Sequence, residues 1–245
     1  MRGVKAIGYL ATSSAAGPDI SLEFLVWAPV LLFSIVAHEY AHAEAAYRQG
    51  DDTAYMLGRI TLNPLKHIDP FMTVAFPLLM WLAGAPPFGA AKPVPVNPRK
   101  YRNYRRGDVI VSLAGIGANL VLWVVSATLF AIVGVVAGAL PVLESSLTVA
   151  QRMLFWGMWL NLILAFFNLL PIPPLDGSHV FYHLLPPRAG LQFRRLQVLG
   201  FLPILLVVWV FPGALSVLLW PAHRLMNAGL LLVRGFAIGP AVWPS

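Results

Sequence analysis

Two histidines and a glutamate stand together near the start of the chain, in the stretch VAHEYAHAEAAY. His38 and His42 are four residues apart, so on a helix their imidazoles project from one face and can bind a single metal ion. Glu39 is rotated by about 100 degrees around the same helix, where its carboxylate can reach a water at the metal. Zinc suits such ligands, and its catalytic sites usually combine three protein ligands with an open position for water. The spacing therefore predicts a zinc site that needs one further ligand.

The third ligand is expected from an acidic residue elsewhere in the chain. Most of the ten Asp and Glu residues lie in polar loops or close to the ends of apolar runs, where water reaches them. Asp176, in PPLDGSH, follows directly on a long uncharged run, as Glu39 does. An ionisable group at membrane depth costs several kcal/mol and therefore indicates a function. Alone, Asp176 is an ordinary helix-terminal residue in an Asp-Gly turn; together with HEYAH it is the candidate third ligand.

The composition predicts an integral membrane protein. Of the 245 residues, 58% are hydrophobic and only 11% are charged, which is outside the range of ordinary soluble domains. Four uncharged runs are each long enough for the roughly 20 apolar residues that cross a bilayer. They lie between Asp69 and Lys92, Asp108 and Glu144, Arg152 and Asp176, and Arg195 and Arg224. A further run, from Phe24 to Ala37, leads directly into His38.

The net charge of +7 does not indicate nucleic-acid binding. The basic residues stand in loops beside apolar runs, which is the pattern of a positive-inside membrane topology, rather than on a basic face with stacking aromatics. The chain has no cysteine, so disulfides and thiolate ligands are excluded and any metal must use nitrogen and oxygen ligands. The expected surroundings are a lipid bilayer.

The predicted fold is an all-α polytopic membrane protein of about four to six transmembrane segments in one domain, residues 1–245. Residues 1–21 are expected to form an N-terminal surface segment, residues 22–185 the core that carries the site, and residues 186–245 the C-terminal transmembrane segments. Helices are predicted over 22–47, ending near Gly50, and over 109–140 and 149–170. The last apolar stretch, 198–233, is interrupted by three prolines and is expected to form one bent helix or two.

HEYAH in one apolar run and NLLPIPPLDG after a later one together resemble the site-2 protease family of intramembrane zinc metalloproteases. The resemblance covers residues 22–185, includes GRITLNPLKHIDP and FGAAKPVPVNPR, and is typical of small bacterial members without a PDZ domain. It implies that His38, His42 and Asp176 bind one Zn²⁺ per chain and that Glu39 is the general base. Asn119, in AGIGAN, matches an asparagine near the active site of the family, which implies a catalytic role in stabilising the oxyanion.

Three positions depart from the family pattern. Ile116 replaces a proline beside Asn119, Met72 stands where DPFGT-like members have glycine, and LDGSH replaces the commoner LDGGR. None of these removes a predicted ligand or the base, but the last leaves a role for His179 open. His67 and Asp69, in LKHIDP, are expected to form local hydrogen bonds rather than bind the metal.

The positions of the acidic residues also predict a topology. Glu39 and Asp176 both end their apolar runs, so the two helices must cross the membrane in the same direction for both residues to reach one metal. With one full crossing between them, the apolar stretch 71–84 must be short or re-entrant, kinked near Pro77. The segment FGAAKPVPV must then return to the side of HEYAH. This extended segment either holds a substrate as an added strand or is a plain loop.

The resemblance implies peptide hydrolysis in or near the transmembrane segments of membrane-protein substrates. It also implies a place in the bacterial inner membrane. The basic residues 99–106 and 188–195 are expected to share one face, which the positive-inside rule identifies as cytoplasmic. Two rival functions are a metal transporter and a proteolytically inactive binding module. Transporters often contain inverted repeats, of which this sequence shows none, and an inactive module has no need of every ligand and the base. The sequence makes no prediction of oligomeric state.

Overall fold

The fold is built from three long helices and a set of shorter ones, in a computed structural model that describes residues 22–75, 79, 92–200, 202–211 and 213–243. The α-helices are α1 (Leu22–Gln49), α2 (Thr53–Met56), α3 (Tyr104–Ala139), α4 (Glu144–Asn168), α5 (Asp176–Tyr182), α6 (Pro187–Arg195), α7 (Leu202–Val210), α8 (Ala214–Leu218) and α9 (Trp220–Val233). No strand occurs in these ranges, which agrees with the predicted all-α class.

Three of these helices are long and apolar enough to cross a membrane among the residues described: α1, α3 and α4. Each matches a helix predicted from the sequence. Helix α1 ends at the predicted glycine, because Gly50 has a φ of +111° and a Cβ there would lie 3.0 Å from the carbonyl oxygen of Lys100. Asn103 caps the start of helix α3, because its side-chain oxygen accepts a hydrogen bond from the backbone N–H of Arg106.

Contacts between the long helices fix their directions. His42 lies beside Val111 and His38 beside Asn119, so α1 and α3 are antiparallel. Further along α3, Asn119 lies beside Asn161, and the carbonyl of Phe130 accepts a hydrogen bond from Gln151, so α3 and α4 are antiparallel as well. Helices α1 and α4 therefore run in the same direction, as the positions of Glu39 and Asp176 predict.

The chain between α1 and α3 is partly described. Residues Pro70–Ala75 form a short π-helical turn; most of the stretch predicted to be re-entrant, including Pro77, lies outside the described residues. Residues 92–97, the Pro-rich segment predicted to be extended, form neither a helix nor a strand, and the backbone of Asn97 is extended. The N–H of Val94 donates to Glu39, so this segment does return to the side of HEYAH, as predicted.

The C-terminal part differs from the prediction of one bent helix or two, since it forms the three short helices α7, α8 and α9. Pro203 and Pro221 each stand in the first turn of a new helix, where the missing N–H of proline has no cost. Helix α9 packs against α3 and α4 through a buried apolar cluster. Its members are Phe130, Met158, Leu162, Ala222, Met226, Val233 and Val242. The N-terminal surface segment predicted for residues 1–21 lies outside the described residues.

Candidate metal centre

Three side chains from two separate parts of the chain converge at one point. The Nε2 atoms of His38 and His42 are 2.9 Å apart, and the Oδ2 atom of Asp176 lies 3.2 Å from each of them. His38 is buried, while His42 and Asp176 are partly buried. Among the residues described, this is the one group of three His or acidic side chains with ligand atoms close enough to hold a metal ion. The structure thus brings together the three ligands predicted from the sequence.

The second nitrogen of each imidazole has a hydrogen-bond acceptor of its own. The Nδ1 atom of His38 lies 2.6 Å from the Oδ1 atom of Asn119, and the Nδ1 atom of His42 lies 2.7 Å from the carbonyl oxygen of Val111. Because both partners only accept, each Nδ1 carries the proton and donates it. In the neutral rings, the lone pairs of both Nε2 atoms therefore point towards each other and towards Asp176.

This donor set fits a zinc ion. The Oδ2 atom of Asp176 is buried without a hydrogen-bond partner. Its lone pair and those of the two Nε2 atoms therefore face one point, and no proton of the protein lies between them. Tetrahedral zinc with bonds of about 2.0 Å separates its ligand atoms by roughly 3.3 Å, close to the separations in this cluster. Three protein ligands leave one coordination position open. Open coordination is the arrangement of a catalytic rather than a structural site.

Asp176 is held in place by the turn that precedes it. It is the first residue of α5, and Gly177 after it packs directly on the end of α4, where a Cβ would lie only 2.1 Å from the carbonyl oxygen of Leu169. The turn therefore fixes the carboxyl of Asp176 beside the Nε2 atoms of His38 and His42, where it can bind a cation.

Glu39 is oriented by the extended segment. Its Oε2 atom accepts a hydrogen bond of 2.7 Å from the backbone N–H of Val94. This contact holds one carboxylate oxygen. The other oxygen has no hydrogen-bond partner within the described part of the chain and can accept a proton. The geometry suits the general base that the sequence predicts.

The side chain of Asn119 does not have the free amide donor that its predicted role in stabilising an oxyanion requires. It is fully buried, and its amide nitrogen donates to the Oδ1 atom of Asn161 and to the carbonyl oxygen of Ser34. No donor of this side chain is left for an oxyanion, while its oxygen holds the ring of His38. The structure thus makes Asn119 a positioning residue for a metal ligand, and a direct role in catalysis has no support in the geometry.

Asn161 and Ser34 are site residues that sequence reasoning did not identify. The Nδ2 atom of Asn161 donates to the hydroxyl oxygen of Ser34 and to the carbonyl oxygen of Gly157, which completes a buried network across α1, α3 and α4. The signal was present in WLNLIL, where a lone amide interrupts an apolar run. Buried polar groups need partners, so such an amide indicates a network.

Asn119→Leu is expected to weaken zinc binding by about 10- to 100-fold, the usual effect of removing the group that orients a histidine ligand. The leucine leaves His38 Nδ1 and Asn161 without their partners. Affinity is measured by competition with a chromophoric chelator. Thr128→Val on the same helix is the matched control, because its hydroxyl bonds only to the carbonyl of Val124 and is exposed. Equal affinity in Asn119→Leu and wild type would contradict this role.

The remaining candidates from the sequence lie away from the cluster. His67 is fully buried, and its Nε2 atom is hydrogen-bonded to the carbonyl oxygen of Thr61. Asp69 accepts a hydrogen bond from the backbone N–H of Phe71. His179 pairs with Asp108. None of the three joins the metal cluster, as expected for His67 and Asp69.

The fold and the cluster together define a class: helical membrane proteins with an HExxH metal site completed by an aspartate from a later helix. The model of peptidase family M50 matches residues 132–208, which include Asp176. "Putative zinc metalloprotease YwhC" of Bacillus subtilis is 41% identical over 201 residues, which cover 81% of this chain and 84% of that protein. "Putative zinc metalloprotease Rip2" of Mycobacterium tuberculosis H37Rv is 31% identical over 229 residues, 84% of this chain and 79% of that protein. No solved structure matches the chain significantly.

The chain belongs to peptidase family M50, the site-2 protease family. The match to the relative from Bacillus extends over most of both chains. The resemblance found in HEYAH and NLLPIPPLDG is therefore confirmed.

Proposed function

We propose that this protein is an intramembrane zinc metalloprotease that hydrolyses peptide bonds in or near the transmembrane segments of membrane-protein substrates. The observation that carries the proposal is the convergence of His38, His42 and Asp176. Of the residues involved, His38, His42 and Glu39 lie on a helix long and apolar enough to cross a membrane. The names of two relatives, "Putative zinc metalloprotease YwhC" and "Putative zinc metalloprotease Rip2", support the same metal and the same class of reaction. Substrates then approach the site within the bilayer.

The residues have separate roles in this reaction. His38, His42 and Asp176 hold the ion, and bound Zn²⁺ supplies Lewis-acid activation of water and of a peptide carbonyl. Glu39 takes the proton of the attacking water and passes it to the leaving amine. The N–H of Val94 keeps the carboxylate of Glu39 oriented during both transfers. Asn119 and Val111 keep the two rings in the tautomer that presents Nε2.

The extended segment 92–97 offers an edge on which a substrate can bind. The N–H of Val94 donates to Glu39 and that of Lys92 donates to the carbonyl of His67, so neither is free for a substrate. Within the described residues, the N–H of Val96 has no partner, and this residue is 39% exposed. Pro93 and Pro95 occupy the alternate positions and have no N–H to offer. A substrate strand added here would lie alongside the catalytic glutamate, which favours the strand-binding alternative over a plain loop.

The site is proposed to open to the cytoplasmic face of the membrane, from which water reaches it. The two basic regions meet there, since Arg194 donates to the hydroxyl of Tyr104 and Arg105 donates to the carbonyl of His183. A cavity of about 490 Å³ lies between the GRITLNPLKHIDP loop and the extended segment. Its lining includes the cationic residues Arg59, Lys66 and Lys92. The positive-inside rule makes this face cytoplasmic in a bacterial inner membrane.

The proposal is tested by cleavage in liposomes with a panel of single-span membrane proteins. Wild type is expected to contain one Zn²⁺ and to cleave at least one substrate, to lose cleavage after chelation, and to regain it when zinc is restored. His42→Ala is expected to lack both zinc and cleavage. His223→Ala is the matched control, because the Nδ1 atom of His223 bonds to the carbonyl of Leu219 on its own helix turn.

Two results would contradict the proposal. Cleavage that persists in thoroughly chelated protein would remove the metal from the reaction. Zinc binding without cleavage of any substrate would favour one of the two rival functions. Zinc flux across the liposome membrane would then identify a metal transporter, and no flux would identify an inactive binding module.

A further inference from the structure

A second cluster of ionisable side chains lies at the opposite end of α5 from Asp176. Asp108, on α3, is 4% exposed, and its two carboxylate oxygens face two different histidines. The Oδ2 atom lies 2.8 Å from the Nε2 atom of His183, and the Oδ1 atom lies 3.4 Å from the Nδ1 atom of His179. A buried carboxylate of this kind needs such donors to compensate for lost hydration.

The hydrogen-bond pattern assigns protons within this cluster. A carboxylate only accepts, so His183 donates from Nε2, while the longer contact of His179 places its Nδ1 atom beside Oδ1. The other nitrogen of His179 lies 3.3 Å from the amide nitrogen of Gln197, which donates to it. The two histidines therefore face both oxygens of Asp108, and the three side chains form one set. They are not among the described groups whose ligand atoms lie close enough to hold a metal ion.

The cluster joins α3, the helix that orients the two histidine ligands, to α5, the helix that carries the third ligand. Helix α3 supplies the partners of both histidine ligands, namely the carbonyl of Val111 and the side chain of Asn119. Helix α5 supplies the third ligand, Asp176, but has only seven residues and so little rigidity of its own. His179 follows Asp176 by three residues, and His183 caps the end of the helix. Asp108 thus ties α5 to the same helix that orients His38 and His42.

We propose that Asp108, His179 and His183 form a clasp that positions Asp176 against the two histidine ligands. The inference deepens the proposed function, on which it rests, by naming positioning residues for its metal site. Without the clasp, α5 is still attached through the turn before Asp176 and through the hydrogen bond from Arg105 to the carbonyl of His183, but it loses the side-chain contacts to Asp108 that fix its rotation against α3. The carboxylate then no longer stays within reach of both Nε2 atoms. The clasp acts on metal affinity and coordination geometry, and none of its members touches the reacting atoms.

The test compares Asp108→Asn with wild type in two measurements on purified protein in detergent. Zinc affinity, from competition with a chelator, is expected to fall by about 10- to 100-fold, as for other groups that orient metal ligands. The visible spectrum of the Co²⁺-substituted protein is expected to change in position and intensity, because it reports the arrangement of ligands. General destabilisation lowers the melting temperature of the metal-free protein but leaves this spectrum unchanged.

Asp52→Asn is the matched control. Asp52 is also a carboxylate with one basic partner, Lys100, but the pair is exposed and lies outside both clusters. Its affinity and spectrum are expected to equal those of wild type. His179→Gln, at a partly exposed member of the clasp, is expected to change both in the same direction as Asp108→Asn by a smaller amount, and serves if Asp108→Asn does not fold.

The outcomes separate the clasp from the proposed function. Unchanged affinity and spectrum in the clasp variants, with wild type binding zinc and cleaving substrate, overturn the clasp and leave the protease intact. Weakened zinc binding in the variants, with a wild type that binds zinc but cleaves no substrate, supports the clasp and overturns the protease. A wild type that binds no metal overturns both.

Discussion

Gly115→Ala is expected to abolish zinc binding at stoichiometric concentrations, with a fall in affinity of about 100-fold or more. A Cβ at this position would lie 2.5 Å from the Nε2 atom of His42 and 2.7 Å from the Nε2 atom of His38. These are the atoms that face the metal. Neither ring can turn aside, since each Nδ1 is fixed by a hydrogen bond to α3, the helix that carries the new methyl group. The methyl group therefore displaces a ligand or occupies the space of the ion.

The control for this prediction lies two residues along the same helix. A Cβ at Gly117 would meet no atom within 4 Å. Both substitutions raise helix propensity by about 1 kcal/mol, so their effects on the stability of α3 are the same. Only Gly115→Ala changes the metal site. Metal content of the purified proteins, with a thermal melt of each metal-free form, makes the comparison. Equal zinc content in Gly115→Ala and Gly117→Ala would show that the ion does not sit between His38 and His42.

Glu39→Gln is expected to keep its zinc and to lose cleavage by about 10²- to 10⁴-fold, the contribution of a well-placed general base. Glutamine has nearly the same shape as glutamate, and its carbonyl oxygen can still accept the hydrogen bond from Val94. What the amide lacks is the ability to take a proton from water. The expected loss is therefore in kcat, and metal content and substrate binding stay unchanged.

Glu44→Gln provides the matched substitution on the same helix. Glu44 forms an exposed ion pair with Arg48 one turn along the helix, and such pairs contribute little. Cleavage by this variant is expected to equal that of wild type, with substrate conversion followed by gel densitometry in liposomes. Turnover by Glu39→Gln at the rate of wild type would assign the proton transfer to another group.

Much of the site could be predicted from the sequence because its spacing is local. Residues four apart on a helix share a face whatever surrounds them, so HEYAH by itself determines a pair of ligands and the position of the base. The long uncharged runs determine the membrane helices for a similar reason, since crossing a bilayer sets a minimum length of apolar chain. Asp176 was identifiable because a charged residue at the end of such a run is rare and costly.

Only the tertiary structure decided how these pieces are held. The partners of the two histidine ligands, Val111 and Asn119, are 69 and 81 residues away from the histidines they contact, and Asp108 is 75 residues away from His183. No local periodicity links positions so far apart, and a backbone carbonyl such as that of Val111 has no signal in the sequence at all. The division of the C-terminal stretch into three helices was also not predicted, because its prolines are compatible with a bend in one helix as well as with the start of a new one. The sequence determines which groups do the chemistry; the packing of α1, α3, α4 and α5 determines their distances and orientations.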